Sequence, residues 1–303
     1  MLSPSEVGYD LTLYAQVWLE ERLRLTRALA RAVAEKPSVP AVHDLRVACR
    51  RLREAIEFFR GVPEVPPLSD VDRAARSLAK SVRRLRELDV ARKRLSQMKV
   101  PDATAFRTQE ALEQALKKRR RRTEKKHREK IGKRAAELEA AIDENLPLYD
   151  KPRSIEPDRA RESHLVAFVE ARAAEKRAVV EALFDKLGSG GRSRSAPAES
   201  LHAVRVAVKH WRYATEIARA VMPRVLYRPM ASRLRSLQEI GGKGQDLVDL
   251  ERIVDRELQR MSASSRARRP LLLHIRSSRR AAAGEFLRAL ESRLPNVQAA
   301  NVG

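Results

Sequence analysis

The chain has 303 residues, with 63 Lys and Arg against 40 Asp and Glu, a formal net charge of +23 and a pI near 10.9. That length supports two core-forming halves, and the charge points to an acidic partner: nucleic acid, an anionic surface or a phosphate polymer. The single Cys49 excludes an internal disulfide framework and a multi-cysteine zinc site.

Aromatics make up only 4% and glycines number 11, in a composition rich in Ala, Leu, Arg, Glu and Lys, so an all-α fold is expected. Apolar periodicity predicts helices over Gly8 to Lys36, Pro40 to Arg60, Ser69 to Met98 and Ala103 to Asn145, then Arg159 to Leu187, Pro197 to Ala220, Arg228 to Met261 and Pro270 to Arg293. No strand pattern competes. Turn chemistry lies at Gly61-Val62-Pro63, at Pro147 to Pro157 and at Gly188 to Ser193. Ser38 with Pro40, and Ser195 with Pro197, are helix-start signals. No run of about 18 apolar residues occurs, and Met1 to Asp10 carries no signal-peptide pattern. The location expected is cytoplasmic.

An internal repeat organises the chain. Val42 to Glu57 aligns without a gap on Leu201 to Glu216 at an offset of 159, His43 falling on His202. The His, Arg, Arg/Lys, Arg quartet recurs: His43, Arg46, Arg50 and Arg53, then His202, Arg205, Lys209 and Arg212. In the same register Arg76-Ser77-Leu78 falls on Arg235-Ser236-Leu237, and Glu87 on Asp246. Two homologous four-helix halves are expected, 1–150 and 157–295, joined through Pro147 to Pro157.

On a wheel with His43 at zero and about 100° per residue, Arg46, Arg50 and Arg53 fall at roughly 300°, 340° and 280°. All four share one face, opposite an apolar stripe of Leu45, Ala48, Cys49, Leu52, Ala55, Ile56 and Phe59. The second copy opposes its quartet to Val204, Ala207, Val208, Trp211, Ala214 and Thr215. Arginine on an outer helix face is ordinarily solvation, but a solvated face needs no particular cation at a particular position. Glu57 and Glu216 stand four residues after Arg53 and Arg212, placed to brace each guanidinium for forked phosphate binding. Both histidines lie in the first turns of their helices, where an anion is favoured.

The next helix adds Lys80, Arg83 and Arg84 to the candidate site, while the second copy replaces Arg83 by Gly242 and Arg86 by Gln245, leaving Lys243 opposite Arg84. The run Lys117 to Arg122 encircles its helix and reads as a general electrostatic collector. Gly241-Gly242-Lys243-Gly244 lacks P-loop spacing and reads as a helix interruption. The histidines show no i,i+4 metal pair and no cysteine companion, and no nucleophile stands with a base, so neither a metal, a cofactor nor catalysis is expected. Glu87, Asp89, Asp246 and Asp249 read as salt-bridging carboxylates.

These residues resemble the conserved histidine α-helical domain, or CHAD, family, whose mark is two His-x-x-Arg-x-x-x-Arg/Lys-x-x-Arg helices, here His43 to Arg53 and His202 to Arg212. A Leu-rich helix ending in an Arg-Asp-Leu-Asp-like element follows in the family. Arg86-Glu87-Leu88-Asp89 departs mildly from that element, and Gln245 to Asp249 departs further. The resemblance spans Gly8 to Arg293. It implies two four-helix bundles related by a pseudo-twofold axis, and a basic surface or pore that binds long-chain inorganic polyphosphate. It also implies a standalone module, with polyphosphate-metabolising enzymes as further partners and polyphosphate granules as a site of residence. The competing readings are a nucleic-acid binder, which low aromatic content and the lack of a recognition motif disfavour, and a polyphosphate-metabolising enzyme. Nucleic acid is then a nonspecific competitor, and no membrane partner is expected.

Overall fold

The computed structural model describes residues 10–100, 102–149, 159–188 and 197–294. Among them are nine α-helices and one short 3-10 turn, with no strand: α1 (Leu11–Glu35), α2 (Val39–Phe58), α3 (Ser69–Ser81), α4 (Arg83–Ser96), α5 (Ala103–Asn145), α6 (Arg159–Gly188), α7 (Ala198–Ala218), α8 (Arg224–Arg260) and α9 (Ser265–Arg293). The fold is all-α. Residues 150–157 of the expected junction, Ser189 to Ser193, Ser195 and the expected start at Gly8 lie outside the described residues. No helix among the described residues is long and apolar enough to cross a membrane.

Capping chemistry sets several starts. Asp10 accepts from the Leu13 amide at 2.9 Å, Ser38 from Ala41 at 3.3 Å and Asp102 from Ala105 at 2.8 Å. Pro40 sits in the first turn of α2, as its fixed φ favours. Gly61, at φ 83°, turns the chain after α2 through a left-handed conformation that other residues rarely adopt.

Three expectations are corrected. The segment Ser69 to Met98 is two helices broken at Val82, where ψ is −2°. No Gly or Pro marks the break; Ser81 Oγ donates to the Leu78 carbonyl at 2.8 Å, competing with the helical ladder. The last two helices begin at Arg224 and Ser265 rather than at Arg228 and Pro270. Pro223 accepts from Leu226 and Tyr227 at 3.0 Å each, leaving Pro229 inside α8, and Ser264 caps α9, leaving Pro270 inside. Gly241 to Gly244 does not interrupt α8, which runs through it unbroken.

Gly241 has a packing reason. A Cβ there would lie 2.9 Å from Phe286 Cε2 and 3.1 Å from Arg205 Cγ, whereas one at Gly242 would meet nothing within 4 Å. Gly242→Ala is therefore expected to stabilise the fold by about 1 kcal/mol through helix propensity. Gly241→Ala is expected to destabilise it by about 1–3 kcal/mol through overpacking. Urea denaturation of the two variants checks both signs.

Packing divides the chain differently from the repeat. Unit 1 holds the described residues within Met1–Val82, His127–Val180 and Ala207–Ser232; unit 2 holds those within Arg83–Lys126, Glu181–Val206 and Arg233–Gly303. Each unit thus draws on both sides of the 150/157 boundary. In unit 1 the scarce aromatics cluster: Phe58 meets Phe59 edge-on at 5.1 Å and Phe168 at 6.0 Å, and Tyr14 meets Phe59 at 6.1 Å. Unit 2 is built on aliphatics, among them Leu88, Leu95, Leu116, Leu250, Ile253 and Ile275.

Candidate anion-binding site

The bipolar reading of the repeated helix holds in both copies. Leu45, Ala48, Cys49, Leu52 and Ala55 are buried on α2 and Phe59 at its C-cap, with Ile56 at the margin, and all six residues expected on the inner face of α7 are buried. Burial pushes the Cys49 thiol up to about 12, in keeping with a core residue. His43 and His202 are exposed, and the other six quartet residues are half-buried.

Unit 1 gathers His43, Arg46, Arg50, Arg53 and Lys80 with Lys209 and Arg212. Arg46 Nη1 donates to the Ala79 carbonyl at 2.7 Å, fastening α2 to the last turn of α3 beside exposed Lys80. Arg53 Nε donates to Asp72 Oδ1 at 2.7 Å and Arg76 Nη2 to Asp72 Oδ2 at 3.1 Å, so one carboxylate orients two guanidinium groups. The expected Glu57 brace is not made: Glu57 pairs with Arg60 at 2.5 Å, because Asp72 of α3 already meets Arg53. The second brace is present, with Arg212 donating to Glu216 at 2.6 Å.

Tyr213 joins the two copies inside unit 1. Arg50 Nη1 donates to its hydroxyl at 3.4 Å, and the Arg212 guanidinium lies 4.7 Å from its ring centroid, a cation–π distance. Arg51 pairs with Glu216 at 3.4 Å, and Glu54 Oε2 lies 2.7 Å from His210 Nδ1. Residues 50, 51 and 54 of α2 therefore meet 213, 216 and 210 of α7, an antiparallel pairing. At the repeat offset these three α7 residues correspond to positions 54, 57 and 51 of α2, so both copies use the same stretch of the helix in this pairing.

Unit 2 holds Arg83, Arg84, His202, Arg205 and Lys243. Arg83 and Arg84 donate to Glu87 at 2.8 and 2.9 Å, and Arg252 lies 3.5 Å from it. Burial pushes the Glu87 carboxyl up, but those hydrogen bonds and the charge of Arg252 outweigh it and hold the carboxyl below its ordinary value. Asp246, the counterpart of Glu87, accepts from Arg94 at 2.7 and 3.0 Å. Both carboxylates thus serve arginines, and among the described residues no cluster suits a metal ion.

His202 Nδ1 lies 2.7 Å from Gln245 Oε1, the residue standing where the first copy has Arg86. With Arg205 it lines a cavity of about 350 Å³. Lys243 does not join them: it faces a separate hollow with Arg94 and Arg288, 3.8 Å from Glu285. The basic run on α5 is also not uniform. Lys117, Lys118, Arg121 and Arg122 are exposed, but Arg120 is buried between Asp89 and Glu124, and Arg119 is engaged by Glu257.

A family model described as CHAD domain matches residues 18–255. The chain is similar to the crystal structure of the CHAD domain from the plant Ricinus communis, with a TM-score of 0.64 at 20% identity, covering 98% of this chain and 92% of that one. It is also similar to PptA from Streptomyces chartreusis, with a TM-score of 0.53 at 17% identity, covering 94% of this chain and 100% of that one. A comparison with curated proteins gives no match. The structural likenesses carry the fold, while the family match runs through both His-and-Arg helices and the segment between them: the chain belongs to the CHAD-domain family.

Proposed function

We infer that the protein binds long-chain inorganic polyphosphate and is not an enzyme. The observation that carries this reading is the duplicated quartet on α2 and α7, each copy opposite a buried stripe, with Arg50 and Arg212 meeting at Tyr213. Membership of a family associated with polyphosphate binding supports it. In unit 1, Arg46, Arg50, Arg53, Lys209 and Arg212 take phosphoryl oxygens, with His43 at the start of α2 and Lys80 adding charge; in unit 2, Arg205 does so with His202, and Arg83, Arg84 and Lys243 add charge. The antiparallel pairing of the same stretch of both copies fits an ancestral duplication with a pseudo-twofold axis. Residence in the cytoplasm or at polyphosphate granules, and service to polyphosphate-metabolising enzymes, belong to the same reading.

Calorimetric titration at two salt concentrations tests the reading. For comparison, neutralising about 6 to 10 phosphates of nucleic acid costs about 10³ to 10⁵ in affinity between 50 and 200 mM salt. A comparably steep loss is expected for long-chain polyphosphate, with tripolyphosphate binding far more weakly. Equal affinity for long and short chains contradicts multivalent binding.

A further inference from the structure

The cavity beside His202 has two unlike sides. His202 and Arg205 of α7 with Arg279 and Arg280 of α9 give it a cationic rim, Arg279 being held by Glu251 at 2.8 Å. Leu201, Val248, Phe286 and Leu287 give it a hydrocarbon wall. Inorganic polyphosphate presents only oxygens and counterions, so nothing in it gains from such a wall. An apolar lining with a few convergent polar groups, at a volume within the range of about 300–1,000 Å³, is the make-up of a small-molecule site.

The two copies differ where this space lies. Gly241 and Gly244 line the cavity, and at the offset of 159 they replace Val82 and Leu85, both buried in the first copy. At Gly241 the space is taken by Phe286, whose ring reaches within 3.0 Å of where a Cβ would stand. At Gly244 it stays open, since a Cβ would meet only Ala282, at 4.0 Å. The second copy thus has glycines where the first has buried side chains, and helix α8 tolerates both although each costs about 1 kcal/mol of helix propensity.

We propose that this cavity binds an organic phosphate, a nucleoside polyphosphate in chemical class, with its phosphates on the cationic rim and its nucleoside against Val248, Phe286 and Leu287. The assignment rests on the reading that His202 and Arg205 receive phosphate. It makes the halves unequal: the second binds a small phosphate ester that competes locally with the polymer, and the first does not.

The test titrates ATP and tripolyphosphate into the full chain, wild type and Gly244→Leu, with thermal melts to verify folding. Tripolyphosphate carries the higher charge, so electrostatics alone favours it. The expected result is ATP binding about tenfold tighter or better, a gap of about 1.4 kcal/mol. Gly244→Leu restores the first-copy residue and removes no cation, so it should cut ATP affinity about tenfold and leave tripolyphosphate within about twofold of wild type. Tripolyphosphate binding as tightly as ATP to the wild type, or equal losses of both ligands in a folded variant, overturns the inference. Those results leave the polyphosphate reading standing if long chains still bind, whereas failure of long chains to bind sinks that reading whatever ATP does.

Discussion

Arg120→Ala should destabilise the protein by about 3–5 kcal/mol, the scale on which breaking a buried ion pair strands its partner. Arg120 and Asp89 have side chains only 8% and 1% exposed, and Arg120 Nε donates to Asp89 Oδ1 at 3.1 Å while Nη1 donates to Glu124. Burial pushes the Asp89 carboxyl up, and the charge and hydrogen bond of Arg120 offset only part of that, so its net shift is upward. A raised carboxyl binds more protons folded than unfolded, and its contribution to stability therefore falls as pH rises through its folded value. Removing Arg120 raises it further, so the variant's deficit should be larger near neutral pH than in mild acid. Replacing both partners together, Asp89→Leu with Arg120→Met, should recover most of the loss, because no charge is then left buried. Urea midpoints of the single and double variants decide the matter; a single variant within about 1 kcal/mol of wild type would mean the pair is solvated.

Arg50→Ala combined with Lys209→Ala should weaken long-chain polyphosphate binding at least tenfold, about 1.4 kcal/mol, without a matching loss of stability. Arg50 makes a long hydrogen bond of 3.4 Å to Tyr213, and both residues are half-buried on the outer faces of their helices, so neither removal opens a core cavity. The slope of log affinity against log salt should shrink by about one for each phosphate-bound cation removed. Loss of affinity with an unchanged slope would assign the effect to structure rather than to lost phosphate contacts.

Much of this was legible in the sequence, for reasons that can be located. The bounds of α5, Ala103–Asn145, match expectation because its pattern is uninterrupted and Asp102 caps it. The quartet's outward face was legible because the opposite residues of α2 and α7 leave only one arrangement that buries them. The break at Val82 carries no Gly or Pro, and depends on a serine hydroxyl competing for one carbonyl. The glycines of α8 read as a breaker because propensity counts only the helix itself, while Phe286 and Arg205 of other helices are what they admit. Tyr213, Arg51 and the Glu54–His210 pair escaped the helical wheel, which orders one helix and names no partner. Arg120 was hidden within a run of like residues, and only the packing of Asp89 singles it out.

The most direct measurement of the central claim is competition: long-chain polyphosphate bound to the wild-type chain near physiological salt, challenged with duplex DNA and single-stranded RNA at equal phosphate concentration. Charge alone is shared by all three polymers, whereas on the proposed reading the two quartets take a chain whose phosphoryl units follow one another with no sugar between them. The account predicts that polyphosphate stays bound. Its displacement by either nucleic acid would contradict the account and leave a basic helical protein with a general affinity for phosphate backbones.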